Sequence, residues 1–165
     1  MIYWARITDQ KMEQQEPKVS EVMSKAVMTV DLNTNVMDCA KAMAKKGVSC
    51  AVISQAGTAT GIVTERDMVS KVLADAVDPR KVLVRDIMST PLISVPSEAD
   101  LAEAASLMAQ YRIRRLVVID AKGAMVGIVT TGDIARHLAE KHGYRESTFN
   151  AMARYKEGTE GGPYQ

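Results

Sequence analysis

With 165 residues, 47% of them hydrophobic and 25% charged, the chain has the composition of a soluble globular protein and the length of one compact domain or two very small ones. A formal charge of +1 gives no bulk field to hold a polyanion, so charge alone implies neither nucleic acid nor an anionic membrane surface. No apolar run approaches the ~20 residues that cross a bilayer, and Met1-Ile2-Tyr3-Trp4 is too short for a signal-peptide core, so the expectation is a cytoplasmic protein with no membrane partner.

Residues 1–18 read as an N-terminal arm in which Ile2, Tyr3 and Trp4 precede a polar stretch. The arm either frays or packs its aromatic start on the body or a second subunit. From Val19 the chain can be laid on itself. A shift of 65 places Val19 on Val84, Met23 on Met88, Ser24 on Ser89, Ala40 on Ala105 and Met43 on Met108. One inserted residue before Gly123 makes the shift 66, which places Gly57 on Gly123, Gly61 on Gly127, Thr64 on Thr130 and Asp67 on Asp133. Such self-similarity means one supersecondary unit used twice. The units are 19–76 and 84–139, with 77–83 as linker.

Each unit reads alike. Val27 to Val30, and Leu92 to Val95, form a short first strand. Val36, Cys39, Ala40 and Met43 recur at helical spacing, as do Leu101, Ala104, Ala105 and Met108, and Ser97 with Asp100 is placed to cap the second of these helices. Strands follow at Cys50 to Ser54 and Leu116 to Ile119, with turns at Gly57 and Gly123, strands ending in Gly-Ile-Val, and a last helix after Thr64 and Thr130. The order is β-α-β-β-α. A unit of under ~70 residues buries too little to stand comfortably alone, so the expected fold is mixed α/β (α+β), two units packed with approximate twofold symmetry. Residues 140–165 read as a C-terminal extension, with a short helix from Ser147 to Tyr155 and a flexible end after about Glu157.

The chemistry concentrates in Gly61-Ile62-Val63-Thr64-Glu65-Arg66-Asp67 and its repeat, Gly127-Ile128-Val129-Thr130-Thr131-Gly132-Asp133. A hydroxyl and a carboxylate stand where a strand hands over to a helix, beside backbone N–H groups the helix cannot satisfy internally. Such a place suits an anionic or ribose-bearing ligand. Thr-x-x-Asp is equally a capping box, and it is the doubling in matching contexts that favours a ligand. Cys39 and Cys50 lack close metal-ligand spacing and His137 and His142 do not complete a zinc set, so no metal is expected and both cysteines read as buried apolar residues. No nucleophile-base pair supports catalysis, so no catalytic residue and no enzyme is expected.

The Met-Ser beginnings, the β-α-β-β-α order, the doubled Gly-Ile-Val-Thr-x-x-Asp and the run Tyr111 to Asp120 together resemble a tandem cystathionine-β-synthase (CBS) domain pair of the stand-alone type, a Bateman module, over residues 19 to about 139. The resemblance implies a non-enzymatic regulatory module without a cofactor. Such a module binds AMP, ADP, ATP or S-adenosylmethionine in clefts between the units and signals by a change of conformation or of dimer contact. It implies ribose contacts at Asp67 with Thr64 and at Asp133 with Thr130. It implies adenine contacts at Leu92, Ile93 and Ser94 for the Asp67 cleft and at Val27, Met28 and Thr29 for the other. Phosphate would meet Arg114 and Arg115, with Arg66 assisting. The corresponding positions of the first unit are Ser49 and Cys50, and Gly132 stands in place of Arg66, so the Asp133 cleft would lack these cations. Where the family often has a proline in the second strand, this chain has Val52 and Val117. If the segment 112–115 is extended, Arg112 and Arg114 point one way and Arg115 the other. Partners implied are an adenosine-containing small molecule, a second copy of the chain and a regulated protein that the sequence does not name. The competing class is a scaffold or interaction module with vestigial clefts. Nucleic acid is not expected, since Lys141, His142 and Arg145 are too few to form a binding patch.

Overall fold

The structure, a computed structural model, describes residues 16–141. The aromatic arm and the expected helix from Ser147 lie outside the described residues. Within them the repeat is visible as two three-stranded sheets. In the first, β1 (Thr29–Asp31) pairs parallel with β2 (Cys50–Gln55), and β2 pairs antiparallel with β3 (Thr58–Thr64). In the second, β4 (Ser94–Pro96), β5 (Arg115–Ile119) and β6 (Met125–Thr130) repeat that topology.

The first strands begin later than Val27 and Leu92. The residues ahead of them enter the ladder by single bonds, Val52 N–H to Met28 O at 2.9 Å and Val117 N–H to Ile93 O at 3.4 Å. The unit also has one element more than the repeat predicts. Short helices α1 (Val19–Val22) and α4 (Val84–Ile87) open the two halves, making the order α-β-α-β-β-α.

Helices α2 (Val36–Lys46) and α5 (Leu101–Tyr111) start and stop for local reasons. Asn35 accepts the N–H of Asp38 at 2.9 Å, and Lys45 and Lys46 sit favourably in the last turn of α2. The cap of α5 is Asp100, which accepts the N–H of Glu103 at 2.7 Å, and Ser97 is not the cap. Pro96 to Ala99 form a turn, Ala99 N–H to Pro96 O at 3.2 Å, so the helix cannot begin at Ser97. Both helices end on a left-handed residue, Gly47 (φ 62°) in α2 and Arg112 (φ 53°) in α5, a conformation that costs a non-glycine residue about 1 kcal/mol or more. Arg112 is therefore a helix terminus and not part of an extended run, and strand geometry begins only at Arg115.

The opening helices are exchanged. Val19 is fully buried in the core of the second unit, with Val95, Leu101, Leu116 and Val129. Val84 and Ile87 are buried in the core of the first, with Val36, Cys39, Ile53 and Val63. Backbone bonds fix both placements: Val19 N–H to Ala99 O and Val84 N–H to Thr34 O, each 2.9 Å. Cys39 is buried and Cys50 half-buried, both as free thiols.

The Met-Ser segments behind these helices then cross the Gly-Ile strands of the opposite unit. Ser24 pairs with Ile128 and Ser89 with Ile62. The glycines are required by this crossing, since a Cβ on Gly61 would lie 2.6 Å from Met88 Sδ and 3.0 Å from Ser89 O. At Gly127 the figures are 2.6 Å to Met23 Sδ and 2.9 Å to Ser24 O. Val52 and Val117 alternate with core residues along β2 and β5, so they face away from the helices, yet both are buried. They pair with Ile62 and Ile128, on the side where the other unit crosses.

Candidate functional site

Both Thr-x-x-Asp motifs sit at the strand-to-helix junction that the sequence predicts. β3 ends at Thr64 and α3 (Glu65–Met68) begins at once, while β6 ends at Thr130 and α6 (Thr131–Lys141) follows. Thr64 keeps an extended backbone (φ −126°) and caps α3.

The two motifs are near copies in their hydrogen bonds. Asp67 Oδ2 accepts the Thr64 N–H at 3.0 Å and the Thr64 hydroxyl at 2.7 Å, and the Asp67 N–H donates to Thr64 Oγ1 at 3.3 Å. In the second unit the corresponding distances are 2.9, 2.6 and 3.2 Å. One carboxylate oxygen is thus committed to the cap. The other differs between the units: Asp67 Oδ1 meets Lys71 Nζ at 2.9 Å, and Asp133 Oδ1 meets Arg136 Nη1 at 3.4 Å.

The two aspartate side chains are mostly covered, 13% and 15% exposed. Burial alone would raise the Asp67 pKa, but the Lys71 ammonium and the bonds from Thr64 outweigh it and hold the carboxyl below its ordinary range. Lys71 lies where the first-unit helix widens from α-helical to π-helical bonding over Val69–Leu73, with Ala74 N–H to Val69 O at 2.9 Å. The second unit has an unbroken α-helix there. Such widened turns are rare and recur at functional positions.

The arginines divide. Arg114 and Arg115 leave their backbone on the second motif, Arg114 O accepting the Thr131 N–H at 3.0 Å and Arg115 pairing with Thr130. The Arg115 guanidinium, however, crosses to the first unit, donating to Ser49 O and Ser49 Oγ, each at 3.4 Å. Ser49 O also accepts the N–H of Glu65, the first residue of α3. Arg115 therefore stands between the two motif helices. Arg114 and Arg66 are exposed.

Of the residues matched to adenine contacts, Leu92, Ile93 and Ser94 are half-buried, and Ile93 packs against the second core. Val27 is half-buried and Thr29 exposed, whereas the Met28 side chain is consumed in the first core at 6% exposure. Two hollows lie away from the threonine–aspartate pairs: one of about 550 Å³ beside Glu16, Glu21 and His137, and an apolar one of about 350 Å³ between α5 and α6. Among the described residues no group of three His, Cys, Asp or Glu is placed to hold a metal ion. No helix among them is long and apolar enough to cross a membrane.

Sequence reasoning missed Lys71. Its only signal is its place four residues after Asp67, where two side chains meet on one helix face.

The sequence profile of the CBS domain matches residues 19–74 and 84–140. The uncharacterized protein MK0525 of Methanopyrus kandleri is 38% identical over 117 residues, 70% of this chain and 60% of the relative, so the match spans less than two thirds of that protein. The CBS domain-containing protein YhcV of Bacillus subtilis is 34% identical over 117 residues, 71% of this chain and 82% of the relative. Among solved structures, the CBS domain pair of protein MJ0100 in complex with 5-methylthioadenosine and S-adenosyl-L-methionine superposes with a TM-score of 0.68 at 29% identity, covering 76% of this chain and 98% of that one. The cytosolic domain of the Mg²⁺ channel MgtE in complex with ATP does so at 0.62 and 25%, covering 72% and 48%. The profile takes in both halves of the repeat: the chain belongs to the CBS-domain family, as a tandem pair of such domains.

Proposed function

We propose that the chain is a cytoplasmic sensor of an adenosine-containing small molecule, AMP, ADP or ATP or else S-adenosylmethionine, held in the clefts between its two units. The observation that carries this reading is the doubled threonine–aspartate pair, in which Thr64 and Thr130 each fix one carboxylate oxygen and leave the other outside the cap. That second oxygen meets a cation of the same helix, Lys71 or Arg136, and once released from it a fixed carboxylate accepts the vicinal hydroxyls of a ribose. The adenosyl ligands of the MJ0100 pair and the ATP of MgtE support the ligand class. In the first cleft Asp67, Thr64 and the Leu92–Ser94 segment take the nucleoside, while Arg115, Arg114 and Arg66 take phosphate. In the second, Asp133 and Thr130 act with Val27 and Thr29, and Met28 contributes backbone only.

The signal passes as a change in conformation or in contact between two copies of the chain. A homodimer is supported by exposed apolar side chains: Leu138, at the hollow between α5 and α6, is 44% exposed, and Val69 and Leu73 are 56% and 64% exposed on the first unit. The regulated protein is a further partner.

Native mass spectrometry of freshly purified protein, followed by calorimetry with AMP, ATP and S-adenosylmethionine, tests the reading. The expected result is a dimer that retains or takes up one of these ligands. A chain that binds none of them at millimolar concentration supports the second reading, a scaffold with vestigial clefts. That reading has its own observation, since the two side-chain-to-backbone bonds in each motif are also those of a plain capping box.

A further inference from the structure

Lys71 makes two bonds that no repeat symmetry demands. Its ammonium donates to Asp67 Oδ1 at 2.9 Å and to the carbonyl oxygen of Ile87 at 2.5 Å. The first contact stays inside the first unit. The second reaches the end of α4, the helix that the second unit places in the first core, immediately before the Met88-Ser89 segment that crosses the Gly61-Ile62 strand. One side chain thus links the motif carboxylate to the crossing point of the two units.

Among the described residues the second unit has no such link. His137 occupies the aligned position, and its ring Nε2 is buried without a hydrogen-bond partner among the described residues. Asp133 Oδ1 is held instead by Arg136, within its own helix.

We propose that Lys71 is a latch that competes with the ligand for Asp67, so that filling the first cleft frees Ile87 and loosens the crossing at Ser89, while the second cleft fills without that signal. The proposal rests on the reading of Asp67 as the acceptor of ribose hydroxyls. Thr64 commits Oδ2 through its N–H and its hydroxyl, so Oδ1 is the oxygen open to a ligand, and it is the one Lys71 holds. A carboxylate oxygen already accepting an ammonium offers less to a neutral hydroxyl, so the two donors weaken each other, and by linkage the weakening is mutual. The Lys71 side chain is 44% exposed, which keeps the bridge partly screened and within reach of displacement by a small ligand.

Adenosine is the probe of choice because it carries the ribose and no phosphate to attract Lys71. Calorimetry is run on the full chain, on Lys71→Met, which keeps the apolar stem, and on Asp67→Ala. Amide exchange follows two pairs: Ser89 with Ile62, and Ser24 with Ile128 as internal control. Lys71→Met should tighten adenosine by about threefold to tenfold. Without ligand it should speed exchange of the Ser89–Ile62 pair and leave the Ser24–Ile128 pair unchanged. Saturating adenosine should speed the same pair in wild type. Unchanged or weaker adenosine binding by Lys71→Met overturns the competition, and unchanged Ser89 exchange in that variant overturns the link between units. If Asp67→Ala binds adenosine as wild type does, the cleft reading fails and takes the competition with it. The exchange of ligand-free Lys71→Met then judges the bridge alone.

Discussion

The two units share a backbone and differ in the charges around their motifs. Both close a threonine–aspartate cap with nearly the same distances, and both cross a glycine of the opposite unit so closely that an added Cβ would lie 2.6 Å from a methionine sulfur. Around that frame the side chains diverge: Arg66 against Gly132, Lys71 against His137, Ser49 and Cys50 against Arg114 and Arg115. What the repeat preserves is what the fold needs at the joint between units, namely a strand end, a cap and a glycine with no room for a methyl. What it lets drift is the set of cations beside the motifs. A duplicated fold can in this way carry two unequally charged motifs without disturbing its core.

The largest expected effect comes from separating the units. Each core contains a helix from the other half, Val19 in one direction and Val84 with Ile87 in the other, so cutting the chain within 77–83 removes buried apolar residues from both. Residues 1–76 alone should fail to unfold cooperatively in urea, while the two fragments mixed should recover a transition. A cooperatively folded, monomeric 1–76 fragment would show that the exchange of helices is dispensable.

Next in size are the glycines. Gly61→Ala and Gly127→Ala each push a methyl into a methionine sulfur and a carbonyl oxygen, and overpacking of this kind costs about 1–3 kcal/mol. Because the two crossings are alike, the losses in urea unfolding should match closely. A large loss at one and none at the other would mean that one crossing is looser than the other, and the symmetry of the frame would fail.

Ligand binding should break the symmetry where stability does not. A charge-assisted hydrogen bond contributes roughly 1.5 to 3 kcal/mol, so Asp67→Ala should weaken AMP by roughly tenfold to more than a hundredfold, and Asp133→Ala by less. The Arg115 guanidinium reaches the first unit at Ser49, which favours phosphate in the Asp67 cleft; the backbone of Arg114 and Arg115 stays on the second motif. An uncharged adenosyl ligand should show the smaller inequality. If calorimetry finds AMP binding abolished by Asp133→Ala and intact in Asp67→Ala, the arginines serve the second cleft.

The mixed α/β fold was legible because its signals are local and repeated. Apolar runs at Cys50 and Leu116, the turn glycines 57 and 123 (φ 83° and 80°) and the helical spacing from Val36 and Leu101 each require only neighbours in sequence. The helices at Val19 and Val84 were not legible as helices, since four residues give no period, and their partners lie in the opposite unit. The motif pair was legible for the same reason as the strands. The bond from Lys71 to Ile87 and the crossing of Arg115 were not, because these partners are decided by how two units meet, and the widened turn that carries Lys71 has no sequence signature.

The smallest effect is on pH. The Asp67 carboxyl lies below its ordinary range because Lys71 and Thr64 outweigh the opposing effect of burial. A depressed folded-state pKa means that the unfolded chain binds protons first as pH falls. The stabilisation from Asp67 is therefore whole above the unfolded carboxyl value of about 4, and is lost as pH drops from there through the folded value. Lys71 is partly exposed, so only a modest slope is expected, confined to the acid limb. Asp67→Asn should flatten that limb in urea unfolding at a series of pH values, and Lys71→Met should flatten part of it, since the bonds from Thr64 persist. A limb equally steep in wild type and Asp67→Asn would assign it to other carboxylates and leave the ion pair without weight in stability, though still free to act as the latch.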